Sequence, residues 1–429
     1  MALSTSKATR NLVIYQIFTR NYKDGTFRAV EEDLERIQAL GTDYVYLLPI
    51  QPSGTKNRKG SMGSPYAIRD YRAIDPVQGT MEDFIRLTEK VHSLGMKIMI
   101  DVVYNHTAPD SWLAENHPEW FYHRADGSFG NRIGDWWDVI DLDYSNPGLW
   151  EYQIDTLKLW ARYVDGFRCD VAPMIPLEFW RQAREAVAEI RPDCLWLAES
   201  VEPEMVKGCR AQGIPMSSDS ELYQVFDILY DYDIYHRMVG VVTGKNSLSD
   251  YLEWVNLQEA LYPENFCKLR CLENHDRTRA AALYPEQGQL LNWTAWNYFA
   301  NGAAMLYMGQ EYRAEHHPTL FDRDTVDFAP ERDISPFLAA LAEIKRDPIF
   351  ALGSFTAQTI GKDQDVIFAV RQMQGRKCVG IFSTTARRQP LTATLPNGTY
   401  RNLLTGGTID VFENTFLYSG SPAIFYVEE

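Results

Sequence analysis

The sequence predicts an α/β protein: a closed, parallel (β/α)8 TIM barrel with a small domain inserted after its third strand and a β-sandwich at its C-terminal end. Three observations predict it. Strand-like and helix-like segments alternate with short punctuation as far as Arg346. Two connections, 51–80 and 107–147, break that rhythm by their length, and structureless connections so long are commonly functional. After Asp347-Pro348 helical periodicity stops, and short strand-like runs follow, separated by Asn-Gly, Gly-Gly and Ser-Gly turns. The expected division is a barrel over 1–106 and 148–349, an inserted domain over 107–147 and a sandwich over 350–429. Counting strands does not by itself separate a closed barrel from a doubly wound open sheet.

Taken in order, Asn11 to Tyr22 reads as the first strand. A helix follows it, with apolar positions Phe27, Val30, Leu34 and Ile37, ended by Gly41. The run from Tyr44 to Pro49 is the second strand, and Phe84, Leu87, Val91 and Leu94 mark the second helix, stopped by Gly95. Lys97 to Val103 is the third strand and Val164 to Asp170 the fourth. Leu195–Glu199, Leu222–Ile228, Leu269–Asn274 and Ala304–Gly309 complete the eight, and a last helix covers about Ile334 to Arg346. The 107–147 insertion is rich in Trp, Asp and His; Trp112, Trp120, Trp136 and Trp137 are expected chiefly as its own core.

Composition excludes several function classes. A formal net charge of -16 argues against nucleic acid or an anionic membrane as partner, because phosphate binding needs basic patches. No window is apolar over the length that spans a bilayer, and the opening residues lack the apolar stretch of a secretory signal. The six cysteines, at 169, 194, 209, 267, 271 and 378, show no metal-ligand spacing and are expected as buried thiols of a cytoplasmic protein. No Gly-rich dinucleotide fingerprint opens an early helix.

In a barrel of this kind chemistry gathers where strands end. The third strand ends in Asp101-Val102-Val103-Tyr104-Asn105-His106, the fourth in Arg168-Cys169-Asp170, the fifth in Leu197-Ala198-Glu199 and the seventh in Glu273-Asn274-His275-Asp276. Singly, each charged residue has a structural explanation as an ion pair, cap or satisfied histidine. Together they put three carboxylates, an arginine and two histidines at one rim. Alternation along a strand points Arg168 and Asp170 to the same face. The cation is expected to keep Asp170 ionised, as a nucleophile needs. Glu199 follows an apolar run with no adjacent cation in sequence, and so is expected to hold its proton as general acid. A nucleophilic and an acidic carboxylate about 5–5.5 Å apart form the machinery of a retaining glycosidase. Asp276 with His275 would bind substrate hydroxyls and stabilise the oxocarbenium-like transition state.

These stretches resemble the α-amylase family of glycoside hydrolases (family 13). DVVYNH at 101–106, GFRCD at 166–170, LAES at 197–200 and ENHD at 273–276 are similar to its four signatures, in order. SPYAIRDYRAIDPVQGT at 64–80 and IDLD at 140–143 resemble two further family segments. The resemblance implies a barrel with a domain B and a C-terminal domain C, and α-glucan or maltooligosaccharide substrates. It also implies Asp170 as nucleophile, Glu199 as acid/base and Asp276 as transition-state stabiliser. Tyr66 would stack on the cleaved sugar, His106, Arg168 and His275 would contact it, and Asp101 would partner the arginine. Asn105 and Asp141 match two calcium-associated positions, and both are hard oxygen donors. Pro173 and Met174 stand where endo-acting members carry Lys-His on the acceptor side. The expected activity is hydrolysis of α-1,4 bonds. The alternatives are 4-α-glucanotransferase or exo-α-glucosidase action and, in another class, a non-catalytic carbohydrate-binding homologue.

Overall fold

The computed structural model describes residues 4–133 and 136–428. Eight parallel strands close into a barrel: β1 Val13–Ile17, β2 Tyr44–Leu47, β3 Lys97–Val102, β4 Gly166–Cys169, β5 Leu195–Ala198, β6 Ile228–Tyr230, β7 Lys268–Arg270 and β8 Ala303–Tyr307. Neighbours around the barrel follow chain order, and β8 closes onto β1. Such strands are covered on both faces, so their sequences are near-continuous apolar runs, and β2 is buried at every position. The residues form two compact units, one from Ile14 to Tyr230 with His317–Asp327, the other comprising Thr5–Val13, Asp231–His316 and the chain from Phe328 onwards.

In the first unit the second helix spans Met81–Ser93 and buries Phe84, Leu87 and Val91. Thr80 and Asp83 close a reciprocal capping box at its start, and Gly95, at φ +76°, turns the chain out of it. The expected first helix is two, Phe27–Glu31 and Leu34–Ala39. Asp33 breaks it at φ -108° and ψ 0°, its carboxylate drawn to Lys23 (2.9 Å), Arg36 (2.7 Å) and the Tyr22 hydroxyl. The sixth strand also starts later than the sequence implies. Leu222 ends a helical turn, Asp219–Leu222, because the Glu221 carboxylate accepts the Ser218 N–H at 2.7 Å.

The long insertion begins on a short strand, His106–Thr107, paired antiparallel with Ile140–Asp141. Within it Trp120 stacks on His117 at 3.8 Å, whereas Trp137 is 58% exposed, so the tryptophans do not all serve as core. In the second unit β9 Ser354–Ile360, β10 Val366–Met373, β11 Arg376–Ser383, β12 Gln389–Thr392, β13 Gly398–Arg401, β14 Thr408–Val411, β15 Thr415–Tyr418 and β16 Ala423–Glu428 build the C-terminal β-sandwich. Its four-stranded sheet runs β9-β10-β11-β16. Phe368, Ile381 and Phe425 of that sheet share a core with Leu391, Val411 and Phe416 of the pairs β12·β15 and β13·β14. All six cysteines are buried, and among the described residues no disulfide joins them. Among the described residues no helix is long and apolar enough to cross a membrane.

Candidate active site

In the first unit the charged residues at the ends of β3, β4 and β5 converge on one guanidinium. Asp101 and Arg168 are register partners on adjacent strands, which explains why Arg168 Nη1 lies 2.8 Å from Asp101 Oδ1. The same Nη1 donates to Asp170 Oδ1 at 2.8 Å, two residues along the strand face. Arg168 Nη2 stands 3.0 Å from Glu199 Oε2. Arg168 and Asp101 have no exposed side-chain surface. Asp101 is fixed further by hydroxyls from Tyr46 (2.8 Å) and Tyr66 (2.9 Å). The rings of Tyr66 and Tyr230 both lie 5.6 Å from the guanidinium carbon. His106 sits with Nε2 3.9 Å from Asp170 Oδ2, its ring 5.3 Å from Trp136.

Val171, directly after Asp170, adopts the left-handed region at φ 39°, ψ 42°. A β-branched residue is strained there by about 1–3 kcal/mol, and such strain collects at functional sites. The turn aims the Val171 N–H at Glu199 Oε2, 2.8 Å away. Glu199 is therefore held by a backbone donor and a cation at once.

The electrostatics correct the expectation formed from sequence. Glu199 does have an adjacent cation, Arg168, brought to it across the barrel sheet rather than along the chain. Burial, reinforced by the neighbouring Glu199, pushes the Asp170 carboxyl well above the usual carboxylate range, and Arg168 opposes that only in part. One guanidinium is thus shared among three carboxylates rather than dedicated to Asp170.

Burial holds the His106 ring down at about 4. An unfolded histidine titrates near 6.5, so the contribution of the neutral buried ring to stability is complete above about 6.5 and is lost as the pH falls toward 4. We expect the stability of the wild-type protein to fall between those limits by about 1.4 kcal/mol per pH unit more steeply than that of His106→Gln. Parallel melting-temperature profiles for the two proteins would disprove it.

In the second unit, Glu273 is buried on Arg279 (2.6 Å) and serves structure rather than chemistry. Asn274 shapes the turn: its Oδ1 accepts the Asp276 N–H at 2.8 Å and its Nδ2 donates to the Tyr232 hydroxyl at 2.8 Å. His275 Nε2 lies 3.0 Å from Asp276 Oδ2, with the histidine buried and the aspartate 42% exposed. Asp276 opens onto a pocket of about 310 Å3 lined also by Tyr235, His236 and Arg277.

Pro173 and Met174 follow Val171 in a short 3-10 turn, Ala172–Met174. Met174 and Trp136 pack against an apolar cluster of Val171, Val201 and Met216, of which Val171 directly follows Asp170 and Val201 lies two residues after Glu199. Asn105 turns its amide toward His106 Nδ1 at 3.2 Å. Asp141, fully buried, accepts the Arg132 N–H at 2.7 Å on Oδ2, and Asn131 Nδ2 lies 3.5 Å from Oδ1. Among the described residues no three His, Cys, Asp or Glu side chains gather as a metal site would need. Sequence reasoning missed Tyr46, hidden in an apolar strand, and Val171, whose residue type argues against the conformation it adopts. Trp136 carried a compositional signal that did not single it out from its neighbours.

The chain matches the family model described as the α-amylase catalytic domain over residues 14–126 and 111–350, and that of the bacterial α-amylase C-terminal domain over 358–425. Among solved structures it is similar to an α-amylase from Lactobacillus plantarum, with 43% identity, a TM-score of 0.95 and coverage of 98% of this chain and 100% of that one. It is similar to α-amylase MalA of Haloarcula japonica, at 25% identity over 408 residues, 90% of this chain and 57% of that protein. An α-1,4-glucan:maltose-1-phosphate maltosyltransferase of Myxococcus xanthus is 33% identical over 230 residues, 47% of this chain and 34% of that protein. The chain therefore spans only part of the length of these last two relatives.

Proposed function

The chain belongs to the α-amylase family of glycoside hydrolases, and from that premise we propose that it is a retaining glycosidase acting on α-1,4 bonds in maltooligosaccharides or short starch-derived glucans. The observation that carries this reading is the sharing of Arg168 by Asp170 (2.8 Å) and Glu199 (3.0 Å). Cys169 and Ala198 are register partners, so Asp170 and Glu199 leave neighbouring strands side by side, which supports the short carboxylate separation that a covalent route needs.

In the first step Asp170 attacks the anomeric carbon while Glu199 gives its proton to the departing glycosidic oxygen. A glycosyl ester on Asp170 results, and the shortened glucan leaves. In the second, Glu199, now ionised, takes a proton from water as it attacks the same carbon and frees Asp170. The raised proton affinity of Asp170, caused by burial and the neighbouring Glu199, supports two carboxylates that interact closely in the free enzyme. The first step needs Asp170 ionised and Glu199 protonated, and the Arg168–Asp170 hydrogen bond stabilises the ionised Asp170. Asp276 and His275 are proposed to hold sugar hydroxyls as positive charge develops, with Tyr66 and His106 on the ring of the cleaved sugar. The six buried thiols support a reducing, cytoplasmic setting.

A second reading, 4-α-glucanotransferase action, is favoured by one observation, the apolar cluster of Val171, Val201 and Met216 with Met174 and Trp136 beyond the carboxylates. Its part-exposed members, Met174 and Trp136, would offer apolar surface to a sugar face, so a glucan hydroxyl would resolve the intermediate. Maltoheptaose labelled at its reducing end separates the readings. We expect mid-chain products that shorten with time. Products longer than the substrate mean transfer, and single-unit shortening means exo action. Inertness toward every α-glucan would leave a carbohydrate-binding homologue.

A further inference from the structure

We propose that the guanidinium of Arg132 does the work of the divalent cation that a family resemblance would seat between Asn105 and Asp141. The segment carrying it folds back as a small hairpin: His123 bridges Phe129, and the Arg124 N–H donates to Ser128 O at 2.8 Å. It returns alongside Asp141, whose N–H donates to Gly130 O at 3.0 Å. Arg132 then collects the oxygens there. Its backbone N–H reaches Asp141 Oδ2 at 2.7 Å, and Nη1 donates to Leu142 O at 2.9 Å. Nη1 also lies 3.9 Å from Asp141 Oδ2, and Nη2 lies 3.7 Å from Asp143 Oδ1. The guanidinium carbon sits 4.8 Å over the Tyr122 ring.

Two carboxylates and a carbonyl around one position are the donors a Ca2+ ion would seek. The ion, however, takes six to eight oxygens at about 2.3–2.6 Å, and a fixed positive charge already set among these oxygens repels it. Asn105 places its amide nitrogen on His106 Nδ1 at 3.2 Å, so the amide oxygen is the one donor it could add. Asp141 needs a cation wherever it comes from, because its side chain is wholly buried and an unpaired buried carboxylate is costly. Arginine supplies one that cannot be chelated or deprotonated, in a planar fork suited to several oxygens.

The consequence reaches the catalytic pair. Asp141 is the register partner of His106 on the strand pair His106–Thr107 and Ile140–Asp141, and His106 Nε2 is 3.9 Å from Asp170. Arg132 is therefore a positioning residue for the edge of the site that carries His106.

The test is thermal unfolding of the whole protein, which does not depend on any assignment of substrate. The wild-type midpoint should be the same in millimolar EDTA and in millimolar CaCl2, and equilibrium dialysis with radioactive calcium should retain no ion. Arg132→Met should melt several degrees lower in both buffers, and Arg132→Lys, which keeps the charge and loses the fork, should fall between. Should Arg132→Met not fold, Arg132→Lys and the wild-type calcium measurements still decide. A wild-type midpoint that drops in EDTA or rises with calcium overturns the proposal. So does one retained calcium per chain, or an Arg132→Met protein that melts with the wild type.

Discussion

Asp170→Asn should lower turnover of maltoheptaose by at least ~10^4-fold, because the loss of a nucleophile removes the covalent route altogether. The substitution keeps the shape and an oxygen able to accept from Arg168 Nη1, so the site geometry survives. The stability effect runs the other way. Burial and Glu199 raise the Asp170 carboxyl's proton affinity in the folded protein. A carboxyl raised on folding stabilises below its unfolded value near 3.9, and that stabilisation is lost as the pH rises through the folded value. Above its unfolded value the buried carboxyl is thus a growing burden on the fold, and Asn lifts it. The variant should melt no lower than the wild type at pH 7 while being nearly inert, the usual relation between a strained site and its scaffold. Turnover within tenfold of wild type would remove Asp170 from the role. A markedly lower melting temperature would remove the electrostatic account.

Glu199→Gln should separate the two chemical steps. With maltoheptaose, whose leaving group needs a proton, the first step should slow by about 10^2–10^4-fold. An aryl α-maltotrioside with a good leaving group needs none, so its aglycone should depart in a fast burst. The second step still lacks its base, and the glycosyl enzyme should accumulate to one per site. The same variant removes a negative charge beside Asp170, which should move the acidic limb of the burst rate to lower pH than in the wild type. Equal losses on both substrates, with no burst, would mean that Glu199 is not the acid/base.

Much of the barrel was legible because parallel strands buried on both faces must be apolar and must alternate with helices. Local side-chain contacts override that rhythm at two places. Asp33 sits within an apolar period of 3.6 yet is captured by Lys23, Arg36 and Tyr22, so one expected helix is two. Leu222 looked like strand and is held in a helical turn by the Ser218–Glu221 box. Arg132 gave no sign at all, since its partners Asp141, Leu142 and Asp143 lie across a hairpin whose closure no residue pattern announces.

The sequence by itself determined which residues stand at strand ends, since side-chain alternation and strand boundaries follow from local chemistry. It therefore named Asp170, Glu199, Arg168 and His106 as residues to place. Only the tertiary structure decided how their charges are distributed. Arg168 reads as the private cation of Asp170 along the chain, but strand register hands it equally to Asp101, and the neighbouring strand delivers Glu199 to its free edge. Electrostatic energy depends on distance through space and on exclusion of water, and neither is written in the spacing of residues along the chain.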